Sequence, residues 1–192
     1  MQIERVTVDR PWWVVPASVL LEAACGSGYM TDAELRCVAV DPDSAIFVAR
    51  GPARVLGMSI VGVAHATVRT EINRSLLALR VAENITAEEK VGWFRSVVVN
   101  PAVRGQGIGD RCVKAGLEFL DEQLCRTAYA VSWVSGTDQQ SEGLLTRNRF
   151  TALGVIPNYW SDMVDYRGSC AVCGAPCRCS AIIMRRSARP CP

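Results

Sequence analysis

No apolar run in this sequence reaches the roughly 18–20 residues that a membrane span needs, so no membrane-crossing helix is expected. An excess of charge of one sign is missing too. The formal net charge is +2, too small to argue by itself for a nucleic-acid or membrane partner. The basic residues near the end, Arg178, Arg185, Arg186 and Arg189, are few and read as a solvated tail. Histidine is nearly absent: His65 is the only one. Low-complexity linkers and internal repeats are also absent, and 192 residues suffice for one well-covered core. Residues 1–192 are therefore expected to form a single domain.

A signal sequence is the next absence. PWWVVPASVLLEAAC follows Arg5 and Arg10 and ends in small residues and Cys25. But Asp9 precedes it, Glu22 sits where a lipoprotein signal needs an apolar residue, and Pro11 and Pro16 break it. It reads better as a buried amphipathic helix over 13–24, and the protein as cytoplasmic. The nine cysteines are an odd count, which without a signal argues against an extracellular disulfide framework. Cys25, Cys37, Cys112 and Cys125 lie scattered in apolar stretches and read as small core residues.

What is present is an alternation of helix and strand patterns. MQIERVTV alternates like an opening strand, and TDAELRCVAV holds a second short helix. SAIFVAR (44–50) and ARVLGMSIVGVAHATV (53–68) read as two strands of a hairpin turned at Gly51 and Pro52. Residues 69–90 are polar and read as an inserted loop with a short helix. WFRSVVV (93–99) is β-branched and aromatic and predicts a buried central strand. A helix over about 108–125 follows, with Ile108, Cys112, Val113, Leu117, Leu120 and Leu124 on one face. TAYAVSWV (127–134) is a strand, QQSEGLLTRN (139–148) a short helix, FTALGVIPNYW a strand and CSAIIMRR the last strand. The pattern predicts an α/β (α+β) fold on a mixed sheet.

The most informative stretch is SVVVNPAVRGQGIGDR, residues 96–111. A buried strand runs into a loop with Gly105, Gly107 and Gly109, and a helix starts there. Glycines let backbone N–H groups turn around an anion, and the helix N-terminus adds unpaired N–H groups and a positive dipole end. That suits a phosphate or pyrophosphate. The Gly-Lys-Ser/Thr of a P-loop is absent, and the spacing G-x-G-x-G is not the dinucleotide fingerprint. What fits is R-x-x-G-x-G as Arg104, Gly107 and Gly109, after a strand ending V-N-P. Asp110 stands out beside that site as a like charge, unless it caps the helix, points to solvent or pairs with Arg111.

The strand, V-x-P-x-x-R-G-x-G-x-G loop and helix resemble the acyl-CoA-binding motif of the GNAT superfamily of N-acetyltransferases, and the element order agrees over most of the chain. The resemblance implies a mixed, mostly antiparallel sheet flanked by helices. It implies that acetyl-CoA is the co-substrate and that a primary amine, on a small molecule or a peptide, attacks the thioester directly. Loop amides of Arg104, Gly105, Gln106, Gly107, Ile108 and Gly109 would hold the coenzyme A pyrophosphate. Backbone groups of Val97 and Val99 would hold the pantetheine arm where the central strand splays from its neighbour. Paired subunits are common in that family, so the resemblance allows a homodimer, though the sequence itself does not give the oligomeric state. A nucleic-acid partner and a membrane partner are not implied.

The family's N-x-x-A-x-x-L-Y-x-x-x-G-F run corresponds to DQQSEGLLTRNRF. Leu144 and Phe150 match, but Asp138 replaces the asparagine, Ser141 the alanine, Leu145 the tyrosine and Arg149 the glycine. The usual acid that reprotonates the thiolate is absent. Asp138 is a cofactor contact or a helix cap. Tyr159 is the nearest substitute acid, with an aromatic packing role as its alternative. His65, on the strand 53–68, is the candidate base, or a satisfied core residue. Glu88 and Glu89 face either an amine or solvent.

CAVCGAPCRC packs Cys170, Cys173, Cys177 and Cys179 into ten residues. C-x2-C-G is the usual shape of a zinc knuckle, and four thiolates close a tetrahedral structural site. The C-x-C half is tight, and Cys191 could replace one ligand. Disulfides, free thiols and an iron–sulfur cluster are the alternatives. A catalytic zinc wants histidine or carboxylate ligands, which nothing nearby supplies. In the resembled fold this loop, 170–179, borders the acceptor site, so the expected enzyme is an N-acetyltransferase with a zinc-stapled loop. The other readings are a catalytically inactive acyl-CoA-binding or sensing module and a zinc-dependent interaction module.

Overall fold

The structure is a computed structural model that describes residues 1–52, 54–134, 140–161 and 169–187. Seven strands form one twisted sheet: β1 (Ile3–Arg5), β3 (Ser44–Arg50), β4 (Val55–Val63), β5 (Val91–Val99), β6 (Thr127–Val134), β9 (Ser180–Ser187) and β7 (Thr151–Ile156), in that spatial order. Among the described residues, only the β5–β6 pair of this sheet is parallel. Two-residue strands β2 (Gly26–Ser27) and β8 (Ser169–Cys170) form a separate antiparallel pair. The sheet is mixed and mostly antiparallel, as the sequence predicts.

Helices cover both faces. On one side α1 (Val14–Cys25) and α2 (Asp32–Val40) bury Trp13, Leu21 and Leu35 against Ile46, Met58 and Ile60. Each such side chain contributes roughly 1.5–3 kcal/mol by leaving water. α2 starts at a capping box: the Thr31 side chain accepts from the Glu34 N–H and the Glu34 carboxylate accepts from the Thr31 N–H. On the other side α4 (Ile108–Glu122) and α5 (Gln140–Arg147) pack Val113, Leu117, Leu120 and Leu145 against Val61, Phe94 and Ala130. The α4 stripe is the one read from its apolar spacing except at Leu124, which lies beyond the helix end in a left-handed turn (φ 63°) and is exposed.

β5 carries the irregularity that shapes the molecule. Ile60 pairs with Ser96 and Val61 with Phe94, so Arg95 is an extra residue, a β-bulge. Its effect shows in the packing. Phe94 lies under α4, whereas Val98, four residues on, lies with Trp13 and Leu21 under α1. Without a bulge, residues four apart in a strand share a face.

Two sequence expectations need correction here. The second hairpin strand ends at Val63, not at residue 68, and α3 (Ala66–Ala78) occupies much of the expected loop. His65 is therefore the N-cap residue of α3 and not a strand residue. The stretch is polar because α3 buries only a narrow stripe, with Ile72, Ser75 and Leu76 inside. That stripe packs on Val91 and Tyr129. FTALGVIPNYW is also not all strand: β7 stops at Ile156, before Pro157 and the left-handed Asn158 (φ 52°). Tyr159 sits in the turn, its N–H donating to Cys179 O at 3.1 Å. The 108–125 helix ends at Glu122, short of Cys125.

Candidate active site

β5 and β6 pair from Val91–Thr127 to Phe94–Ala130 and then part, while β6 continues with β9 as far as Val134. Among the described residues, the second half of β5 thus has no paired strand on that side. The Asn100 N–H donates to Leu56 O at 2.8 Å. Backbone direction alternates along a strand, so the amides of Val98 and Ser96 also face β4, and those of Val97 and Val99 face the gap. The gap opens into a cleft of about 1280 Å³. The cleft runs from the glycine loop past Ser96 and Trp133 to Cys170 and Cys177.

At the loop end, Asn100 accepts from the Ala102 N–H at 3.0 Å and starts a single 3-10 turn over Pro101–Val103. Gly105 and Gly107 have φ of 78° and 73°, and a Cβ built on either meets nothing within 4 Å. The loop needs glycine for its backbone, and the space in front of it is open. α4 begins at Ile108, so its first-turn N–H groups, lacking carbonyls a turn earlier, point into that space. A Cβ on Gly109 would stand 3.0 Å from Leu144, which shows how closely α5 packs on the loop. Arg104 and Gln106 are exposed here, and Ile108 is buried. Asp138 lies outside the described residues.

Asp110 neither faces a ligand unpaired nor bonds Arg111. Its carboxylate takes Lys114 Nζ at 2.7 Å and Asn148 Nδ2 at 2.9 Å, and Lys114 first, then Asn148, hold its pKa below the usual carboxylate value. A depressed folded-state pKa gives stability that is full above the unfolded pKa of about 4 and is lost as pH falls through the folded value. The variant Asp110→Asn should therefore show a shallower loss of stability between about pH 4 and pH 2 than the parent, read by urea melts across that range. An equally steep acid limb in both proteins would contradict it.

Mid-cleft, Tyr29 donates to Arg95 O at 3.2 Å and accepts from the Ser96 hydroxyl, with burial first pushing its pKa up to about 12. The position of the family's usual tyrosine is filled by Leu145, 3% exposed and packed with Phe150. Tyr159 and His65 both line the cleft. His65 is exposed and makes no capping bond. Tyr159 is buried and donates to Glu71 Oε1 at 2.6 Å. Burial and then the Glu71 charge push its pKa above the ordinary phenol value, so it stays protonated. Glu71 gave no sequence signal, since 88 residues separate it from its partner. Glu88 and Glu89 are in a separate hollow with Lys90, Leu124 and Arg126, at the opposite end of β5 from the glycine loop.

At the far end the four thiols converge. The Sγ atoms of Cys170, Cys173, Cys177 and Cys179 all lie within 4.8 Å of one another, with separations of 3.6, 3.7 and 3.8 Å among three of the pairs. A zinc ion with about 2.3 Å bonds to four sulfurs requires S···S edges of about 3.8 Å. The set therefore fits a tetrahedral ion, and the C-x-C half reaches it. Val172 N–H and Arg178 N–H point at Cys170 Sγ (3.4 Å) and Cys173 Sγ (3.3 Å), the latter drawing that thiol down to about 7. The Arg178 bond favours thiolate at Cys173, the form a metal takes, whereas burial pushes the Cys177 and Cys179 thiols up. Cys191 lies outside the described residues.

The cysteine loop is also tied sideways. β8 pairs with β2, so the cluster joins the connection between α1 and α2. Gly26 holds φ 108°, and a Cβ there would come within 1.9 Å of Ser169 O, so only glycine permits this contact.

A family model for GNAT acetyltransferases matches residues 21–149. The chain belongs to the GNAT acetyltransferase family. The match takes in the splayed strand and the glycine loop but stops before the cysteines. No curated protein matches the chain. Solved structures share the fold at low identity. The ribosomal-protein-S18-alanine N-acetyltransferase of Escherichia coli is 12% identical with a TM-score of 0.62, over 100% of this chain and 96% of its own. The aminoglycoside 6'-N-acetyltransferase of Enterococcus faecium is 15% identical with a TM-score of 0.65, over 100% of this chain and 99% of its own. A chain from the NatC complex bound to Gag peptide and CoA is 11% identical with a TM-score of 0.65, over 97% of this chain and 99% of its own. The first two names point to unlike acceptors, so this GNAT fold by itself selects none.

Proposed function

We propose that this GNAT protein is an acetyl-CoA-dependent N-acetyltransferase acting on a primary amine, with a structural zinc at the acceptor end of its cleft. The observation that carries the reading is the parting of β5 from β6 beside a glycine loop that opens a helix. The N–H groups at the start of α4 and in Arg104–Gly109 take the pyrophosphate. The free backbone edge at Val97 and Val99 takes the pantetheine amides. That leaves the thioester carbonyl near a strand N–H, which stabilises the oxyanion as the amine attacks. A coenzyme A thiol, with a pKa of about 8.5, leaves readily as thiolate, so a core leucine at position 145 is compatible with turnover.

Cys170, Cys173, Cys177 and Cys179 would hold the zinc. Four thiolate ligands would leave the ion no open position for chemistry, and it would fix the loop. The cluster and the β2–β8 pair fasten one lip of the cleft to the other, near Tyr29 and Trp160. The location is the cytoplasm, and paired subunits, common in the family, allow a homodimer. The test is release of coenzyme A thiol from acetyl-CoA across a panel of primary amines, alongside calorimetric binding of coenzyme A. Turnover with at least one amine is expected. Coenzyme A binding with no turnover on any amine would support the inactive sensing module instead.

A further inference from the structure

Three described carboxylates line the cleft, and two are engaged: Asp41 with Ser44 Oγ at 2.7 Å, and Asp110 with Lys114 and Asn148. Glu71 differs. Tyr159 grips its Oε1, and its Oε2 has no hydrogen-bond partner among the described residues. The wall beside it is aromatic. Trp93, Trp133 and Trp160 line the same cleft. Trp160 meets Tyr159 edge-on at 5.1 Å and Trp133 at 6.3 Å. Cysteine burial at the metal cluster backs the two tryptophans. A carboxylate oxygen held by a second residue among aromatic rings attracts an ammonium, and the apolar walls accept what the ammonium is attached to.

We propose that Glu71 receives the amino group of the acceptor as a cation, that Tyr159 positions its carboxylate, and that the acceptor is a primary ammonium on an apolar or aromatic body. This rests on the acetyltransferase reading. In the reaction, Glu71 Oε2 takes one proton from the ammonium. The freed nitrogen lone pair bonds to the thioester carbon, and the carbon–sulfur bond breaks. The sulfur leaves with that electron pair and takes a second proton from the nitrogen, giving the amide and coenzyme A thiol. Glu71 then returns its proton to water. Glu71 is a catalytic residue in this scheme, because it touches the reacting nitrogen. Tyr159 acts through Glu71, and its raised pKa keeps the phenol a donor to the carboxylate throughout.

The test uses phenethylamine and tryptamine as probes, with phenethyl alcohol as a neutral look-alike. The wild-type protein should acetylate at least one of the amines, and the alcohol should compete poorly. Glu71→Gln should lower kcat/KM by ~100-fold, and Glu71→Asp should recover part of that. Tyr159→Phe should raise KM several-fold with kcat within about threefold of the parent, the mark of a positioning role. Coenzyme A affinity should be equal in all four proteins, which also reports that each is folded. The proposal fails if Glu71→Gln stays within about threefold of the parent, or if the alcohol competes as well as the amine. It fails too if neither amine is acetylated while coenzyme A still binds, an outcome that leaves the acetyltransferase reading standing. Loss of coenzyme A binding by the wild-type protein would overturn that reading instead.

Discussion

Replacing Gly107 by valine should cut acetyl-CoA affinity by about 100-fold while destabilising the fold by only about 1–2 kcal/mol. The two effects separate because of the geometry of the loop. Gly107 has φ 73°, so a β-branched residue there carries left-handed strain. But its Cβ would meet no atom of the chain within 4 Å, so no packing is lost. The added carbons stand instead in the open space before the first turn of α4, where pyrophosphate oxygens would accept N–H bonds. Losing two such charge-assisted bonds, at about 1.5 kcal/mol each, accounts for the affinity change. Calorimetry with acetyl-CoA and a denaturant melt measure the two numbers. Unchanged affinity in a folded variant would remove the glycine loop from the binding site.

The second large effect concerns the cysteines. Cys173→Ser should reduce bound zinc from one ion per chain to none. It should also lower the melting temperature by about 10 °C in zinc-containing buffer, if the ion contributes about 4 kcal/mol. Cys173 is the informative choice because it is exposed, unlike its three companions, so its replacement removes a ligand without opening the core. Metal analysis and thermal unfolding read the result. The acceptor KM should rise with it, while coenzyme A affinity stays put, because the cluster belongs to the β8 loop packed on Trp133 and Trp160 and not to the glycine loop that opens α4. Treating the parent with a chelator should reproduce the drop in melting temperature and leave the variant unmoved. A parent that carries no metal and ignores the chelator would sink the zinc assignment.

Some of this was legible in the sequence because its causes are local. The run 93–99, the breaker pair Asn100–Pro101, the spaced glycines and the single stripe of α4 are each contained within a few residues. The missing tyrosine was equally plain, and the structure adds that Leu145 fills its place as core. What escaped depended on distance. α3 was hidden because its apolar stripe is narrow and its neighbours are polar, and His65 was misplaced as a result. The Glu71–Tyr159 bond joins a helix to a turn after a strand, and nothing in either segment announces the other. The two-residue strands β2 and β8 are too short to leave a periodic signal. The bulge at Arg95 was silent for a different reason: β5 is apolar on both faces, so a change of face leaves the pattern intact.

That bulge restricts how β5 can change its length. Upstream of Arg95 the strand shows Phe94 to α4, and downstream it shows Val98 to α1 and the amides of Val97 and Val99 to the gap. Removing Arg95 would restore simple alternation and leave every other pair in place, Phe94 opposite Val61 and Ser96 opposite Ile60. A second single-residue loss would shift the strand by one and exchange every downstream role: wall valines for core valines, bonded amides for open ones. Among related chains the spacing between Phe94 and the glycine loop should therefore be one residue shorter where the bulge is lost than where it is kept, a counting rule that holds whatever side chains occupy the strand.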